Sequence, residues 1–283
     1  MSIGNAIILG LVQGVAEFLP ISSSGHLAIL QNLFGMTTAE GGNLFFDVLL
    51  HFGTLISICI VYWEDIAAMV RELVACAHGG GSGGSAGGES RSAARYPAAR
   101  LFLMIVIGTL PLFLVLPVND YVEQLYSHTA FIGTALILTG CILYVADKMA
   151  LGKKTEGSMR IRDALIIGVC QGIATIPGLS RSGTTIAAGM ATGLRRDFAV
   201  KYSFLLSLPA VLGANILSLV KAIKVGIDAS LLPAYLIGMA VAMVSGVFAI
   251  GLVKTITSKG KFGSFAYYCW VVGALAIILS FIF

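Results

Sequence analysis

A chain of 283 residues with 57% hydrophobic and 11% charged side chains cannot fold as a water-soluble globule, because an average soluble domain carries about 25% charged residues. A bilayer has to solvate the excess apolar surface. The formal net charge of +4 comes from short basic clusters between long apolar runs, which excludes a continuous nucleic-acid-binding face and reads as membrane topology.

Residues 1–34 are apolar but interrupted by Leu19-Pro20-Ile21-Ser22-Ser23-Ser24-Gly25. Pro withdraws a backbone donor and Gly loosens a helix, so the region predicts a helical hairpin that enters the membrane and returns. It has no Lys or Arg ahead of its apolar stretch and carries Gln13 and Glu17 inside it, so it is expected to stay in the fold rather than be cleaved as a signal peptide. Spans are predicted at 43–63, 101–118 and 129–147, close to the length that crosses a ~30 Å hydrocarbon core. The Gly- and Ser-rich stretch 78–92 reads as a flexible loop. A second interrupted region, 161–193, breaks at Pro177-Gly178-Leu179-Ser180-Arg181-Ser182-Gly183, and spans follow at 202–220, 232–253 and 265–283. The fold class is all-α and polytopic, a single membrane domain of six transmembrane helices plus two re-entrant hairpins. Cys59, Cys76, Cys141, Cys170 and Cys269 are scattered without a CxxC and read as free thiols.

Of the 18 Lys and Arg, 15 fall in loops on one side of this arrangement and only Lys221 and Lys224 on the other, with Arg181 inside the second break. The positive-inside rule makes the rich side cytoplasmic and puts both termini outside. Shifting the chain by 158 aligns QGVAEFLPISSSGHL (13–27) with QGIATIPGLSRSGTT (171–185), with six identities in 15 positions. The chain thus reads as two repeats of opposite orientation, about 1–147 and 161–283, whose breaks meet near the midplane.

An ionisable group at membrane depth costs about 2.5–3.5 kcal/mol or more, which marks each one as functional. Ser22, Ser23, Ser24, Ser180, Ser182, Gly183, Thr184 and Thr185 offer hydroxyls and backbone N–H groups at the starts of helices, where an anion is favoured. The plainer alternative, small residues that let helices pack, does not explain Arg181, whose fork suits phosphate oxygens. Gln13 and Glu17, one helical turn apart, form a hard-oxygen half-site for Mg²⁺ or Ca²⁺, the alternative being a Glu17 that only pairs with Arg181. His26 is a candidate base, acid or nucleophile. Asp47 and His51, also one turn apart, either line the same cavity or pack between helices, while His78 and His128 read as solvated. These groups suit phosphoryl transfer on an amphiphile; a lipid-phosphate flippase or anion transporter would use the same cradle.

QGVAEFLPISSSGH and PGLSRSGTT resemble the two signature motifs of the bacterial undecaprenyl-diphosphatase family linked to bacitracin resistance, and FFDVLLHFGT (45–54) and SFLLSLPAVLGA (203–214) are similar to its segments after each break. The resemblance implies hydrolysis of undecaprenyl diphosphate on the outer face of the plasma membrane, recycling the lipid carrier for peptidoglycan synthesis. It also implies a divalent metal. By position it puts the acidic motif on Gln13 and Glu17, the proposed serine nucleophile on Ser23, the essential histidine on His26, and the second motif on Ser180, Arg181 and Thr185. The expected partners are a polyprenyl diphosphate lipid and the bilayer, with no nucleic acid; a homodimer is an open expectation. Whether Ser23 or His26 attacks phosphorus is left open.

Overall fold

The computed structural model describes residues 1–33, 41–79, 96–149 and 151–281. The first interrupted region forms α1 (Ile3–Phe18) and α2 (Ser23–Leu33). Leu19, placed before Pro20, is pushed into the extended conformation (ψ 143°), and this stops α1. α3 (Gly41–Val61) and α4 (Trp63–Gly79) follow, then α5 (Pro97–Thr109), the short α6 (Asn119–Gln124) and α7 (Thr129–Lys148). The second interrupted region forms α8 (Ile161–Ile173) and α9 (Arg181–Ala191), and the chain closes with α10 (Arg196–Val225), α11 (Leu232–Ser258) and α12 (Ser264–Leu279).

Among the described residues, five segments are long and apolar enough to cross a membrane: Leu44–Val61, Pro97–Val118, Thr129–Lys148, Arg196–Val225 and Ala229–Ser258. The predicted sixth span, 265–283, corresponds to the 16-residue α12, which is apolar but shorter; positions 282 and 283 lie outside the described residues. The molecule is a polytopic helical membrane protein. Its periphery carries large apolar side chains that water would not tolerate as a belt, with Leu114 79% and Phe248 74% exposed.

The span at 101–118 is not one α-helix: α5 gives way at Thr109 to 3-10 turns Leu110–Leu114 and Leu116–Val118, because Pro111 and Pro117 lack the N–H that an α ladder requires. The region after Tyr62 is not a loop but α4, with Glu64 and Asp65 in its first turn. Glu72 on α4 accepts hydrogen bonds from the Ala98 and Ala99 N–H groups at 2.7 and 2.9 Å, capping the start of α5. The expected loop at 78–92 lies outside the described residues from position 80 onward.

α1 packs along α11, α8 along α5, α7 along α12, and α3 between α10 and α11. Lipid tails are as apolar as leucine, so close packing rather than water exclusion holds such helices together. A Cβ on Gly10 would stand 2.4 Å from the Gly238 carbonyl oxygen, and one on Gly168 would stand 2.3 Å from that of Gly108. Both crossings exist only because side chains are missing there. A core of Phe18, Tyr62, Phe198, Tyr202, Phe204 and Phe262 fills the middle, with Phe18 edge-on to Phe204 at 5.3 Å. Toward the basic-rich side, Lys201 bridges Asp65 and Glu156 at 2.5 Å each, and Lys154 reaches Asp163 at 2.8 Å. The five cysteines are free.

Candidate active site

Helical spacing puts Gln13 and Glu17 on one face of α1, directly before the break, and both are buried. The chain then turns through Ser22, whose φ of +68° is the only positive value at a non-glycine residue among the described residues. That turn aims the first residue of α2 back at α1, where the Ser23 hydroxyl donates to Glu17 Oε2 at 2.6 Å. Gln13 Nε2 donates to the same oxygen at 3.1 Å. From the other break, Arg181 Nη2 donates to Glu17 Oε1. One carboxylate therefore gathers a hydroxyl, a carboxamide and a guanidinium from two distant parts of the chain.

The second break is built from its own hydroxyls. Ser180 caps α9 by accepting from the Gly183 N–H at 3.1 Å, and its own N–H donates to Thr139 Oγ1 at 3.1 Å. Ser182 Oγ donates to the Leu19 carbonyl at 3.2 Å, tying one break to the other. Thr185 donates to the Arg181 carbonyl at 2.8 Å and lies 2.6 Å from Ser203 Oγ on α10. Two groups are left over: Arg181 Nη1 and Thr184 Oγ1 are buried and meet no hydrogen-bond partner. A recess lined by Glu17, Phe18, Arg181, Ser182, Ser203, Phe204 and Ser207 lies at the junction.

Glu17, Gln13, Ser23, Arg181 and Ser182 are thus brought together. Ser22 and Ser24, 3.3 Å apart at Oγ, shape the first turn. His26 stands one turn beyond Ser23 on α2. Its Nδ1 lies 2.8 Å from the Ser22 carbonyl, which can only accept, so Nδ1 carries the proton and Nε2 accepts from the Tyr268 hydroxyl at 2.8 Å. Asp47 and His51 form no side-chain ion pair: Asp47 accepts from Gln31 Nε2 at 2.7 Å, and His51 Nδ1 donates to the Asp47 main-chain oxygen at 2.8 Å. His78 and His128 are exposed. The sequence reading passed over Ser203, Ser207 and Tyr268; the four-residue spacing of the two serines in SFLLS was the available signal for the first pair, and nothing local marked Tyr268.

Among the described residues no three of His, Cys, Asp or Glu form a ready metal cage. One orphaned oxygen beside the carboxylate suits a hard cation. Gln13 Oε1 is buried without a partner, one turn from the Glu17 carboxylate, and an orphaned carbonyl oxygen is satisfied by a cation as well as by a donor.

A buried carboxylate and a partly buried guanidinium, brought together from two helix breaks, make this a helical membrane protein with a polar site at the junction of its breaks. A profile described as "Bacitracin resistance protein BacA" matches residues 6–275. The chain is 38% identical over 281 residues to the undecaprenyl-diphosphatase of Methanosphaera stadtmanae, covering 99% of both chains. It is 39% identical over 284 residues to that of Halothermothrix orenii, covering 100% of both. It is also 39% identical over 283 residues to that of Desulforapulum autotrophicum, again covering 100% of both. The chain belongs to the BacA family.

Proposed function

We infer that the chain acts as an undecaprenyl-diphosphatase, cleaving undecaprenyl diphosphate with water to undecaprenyl phosphate and inorganic phosphate, and so supports bacitracin resistance. Its full-length relatives carry that activity in their names. The observation that carries the chemistry is the junction of Glu17, Ser23 and Arg181 across the two breaks.

Arg181 holds the diphosphate, its unpartnered Nη1 supplying a charge-assisted donor once the ligand arrives. Thr184 Oγ1 is a second donor without a partner, whereas Ser180, Ser182, Gly183 and Thr185 keep the loop in shape around it. Ser23 Oγ attacks the terminal phosphorus as the bond from that phosphorus to the bridging oxygen breaks, and the Ser23 proton passes to Glu17. Support for Ser23 over His26 comes from their partners: the Ser23 hydroxyl already donates to a carboxylate, while His26 Nε2 is engaged by Tyr268. His26 is the base that takes a proton, through the Tyr268 hydroxyl on its Nε2, from the water that releases phosphate from Ser23, and the Ser23 oxygen regains its proton from Glu17. A Mg²⁺ or Ca²⁺ ion held by Glu17 and Gln13 would neutralise charge on the diphosphate oxygens.

The two halves, about 1–147 and 161–283, form an inverted repeat. The crossing of Gly10 with Gly238 and that of Gly168 with Gly108 support this, because Gly10 and Gly168 are 158 positions apart, the offset of the two motifs. The site opens to the extracytoplasmic side of the plasma membrane, a reading supported by the 15 basic residues assigned to the opposite face. The freed undecaprenyl phosphate re-enters the carrier pool for peptidoglycan synthesis.

The test is phosphate release from undecaprenyl diphosphate by detergent-purified protein, with and without chelator, beside Glu17→Ala and Arg181→Ala proteins of verified fold. Release lost on chelation and in both variants is the expected result. No release from well-folded protein across several divalent ions would overturn the enzymatic reading and favour lipid-phosphate transport.

A further inference from the structure

His26 is held at both ring nitrogens. Nδ1–H donates to the Ser22 carbonyl at 2.8 Å, and the Tyr268 hydroxyl, 242 positions away in sequence, lies 2.8 Å from Nε2. The two rings are also stacked, with centroids 5.7 Å apart and planes 11° from parallel. The same turn of α12 is fixed to the first break a second time, through the Cys269 thiol on the Pro20 carbonyl at 3.6 Å. At the related position 158 residues on, Thr184 is buried with its hydroxyl unpartnered. The contact therefore accompanies the imidazole and is not a packing feature repeated in both halves.

We propose that Tyr268 is a positioning residue for the diphosphatase reaction, holding His26 in one ring plane while the Ser22 carbonyl sets its tautomer. Three features carry this. The Ser22 carbonyl can only accept, so the proton sits on Nδ1 and the lone pair on Nε2. A phenol both donates and accepts: it donates to Nε2 while that nitrogen is unprotonated, and because it fills the only lone pair there, the water's proton arrives by way of the hydroxyl, which passes its own proton to Nε2 and then accepts from Nε2–H. One contact thus serves both protonation states of a general base without moving the ring. Finally, Ser22 is a left-handed non-glycine residue, so the inner hydrogen bond hangs from a strained turn, and a second restraint on the far side of the ring limits its swing.

This proposal rests on His26 acting as a base, and the experiment separates the two ideas. Full-length protein in detergent is compared as wild type, Tyr268→Phe, Tyr268→Leu, His26→Ala and the Tyr268→Phe/His26→Ala double variant. Carbethoxylation of His26 by diethyl pyrocarbonate is followed by peptide mass, with the exposed His78 and His128 as internal references. Phosphate release gives kcat and KM. Tyr268→Phe keeps a stacked ring but frees Nε2, so His26 should react several-fold faster relative to His78. Its kcat should fall about tenfold, the factor an ordinary hydrogen bond carries, with KM nearly unchanged. Tyr268→Leu should lose more, and Tyr268→Phe should add nothing on a His26→Ala background. An unchanged His26 reactivity in folded Tyr268→Phe protein, or an equal loss on the His26→Ala background, would overturn the proposal. Full activity in His26→Ala would instead remove the base role of His26, while the reactivity measurement still reports whether the pair exists.

Discussion

In the first break Ser22 Oγ accepts from the Gly25 N–H at 3.4 Å and lies 3.3 Å from Ser24 Oγ; in the second, Ser180 Oγ accepts from the Gly183 N–H at 3.1 Å and lies 3.2 Å from Ser182 Oγ. The offset of 158 that relates these serines also relates Glu17 to Thr175, Ser23 to Arg181 and His26 to Thr184. The shared residues build the turn, and the residues that differ are those to which the proposed chemistry is assigned. The backbone departs as well. The left-handed residue is Ser22 in the first break, whereas in the second it is Gly178 (φ +91°), which bears that conformation without cost. In the proposed reaction the first break supplies the reacting groups and the second holds the charge.

Breaking the link between the halves should have the largest effect. Glu17→Ala and Arg181→Ala should each lower kcat/KM for undecaprenyl diphosphate by about 10³-fold or more, since each removes a preorganised charge from a low-dielectric site. Each single variant should also destabilise the protein by about 3–5 kcal/mol by leaving its partner's charge buried, and the double variant should recover part of that loss. Thermal unfolding in detergent reads the second effect.

The two glutamines sharpen the comparison. Gln13 bonds Glu17, whereas both side-chain polar atoms of Gln171 are buried without partners. Gln13→Leu should cut activity and weaken its dependence on added Mg²⁺ or Ca²⁺, while Gln171→Leu should be neutral or stabilising by about 1 kcal/mol. The glycine crossings should respond alike: Gly10→Ala and Gly168→Ala each push a methyl group against a main-chain carbonyl and should each cost about 1–3 kcal/mol, with similar losses in unfolding temperature. Unequal losses would argue that the halves do not pack equivalently. The smallest effect belongs to the turn itself: Ser22→Gly relieves the left-handed strain and gives up the Gly25 cap, so its stability should stay within about 1 kcal/mol of the parent, while Ser180→Ala should lose about 1 kcal/mol as a lost helix cap.

Much of this was legible in the sequence because membranes punish irregular backbone and buried charge. Pro20 and Pro177 with Gly178 marked both breaks, and Glu17 and Arg181 stood out for their surroundings. The features that escaped detection are those that local pattern does not encode. α4 carries charges spaced through an apolar background and is too short to span, so it read as a loop. The 3-10 turns after Thr109 depend on how Pro111 and Pro117 interrupt an otherwise apolar run. Ser203 and Ser207 stand in an apolar helix with only their spacing to single them out, and it is the fold of α10 against the second break that brings them to the recess. Tyr268 sits among the aromatic residues of α12, and its partner His26 lies 242 positions away.

The division of labour between the halves is tested most directly by trapping the phosphoryl group. Undecaprenyl diphosphate labelled at its terminal phosphate would be mixed with His26→Ala protein, quenched rapidly, and the peptide containing Ser23 analysed by mass. The account predicts labelled phosphoserine at Ser23, accumulating because the base that discharges it is gone, and none in a Ser23→Ala protein. Turnover persisting in Ser23→Ala, with no label on Ser23 in either background, would contradict it.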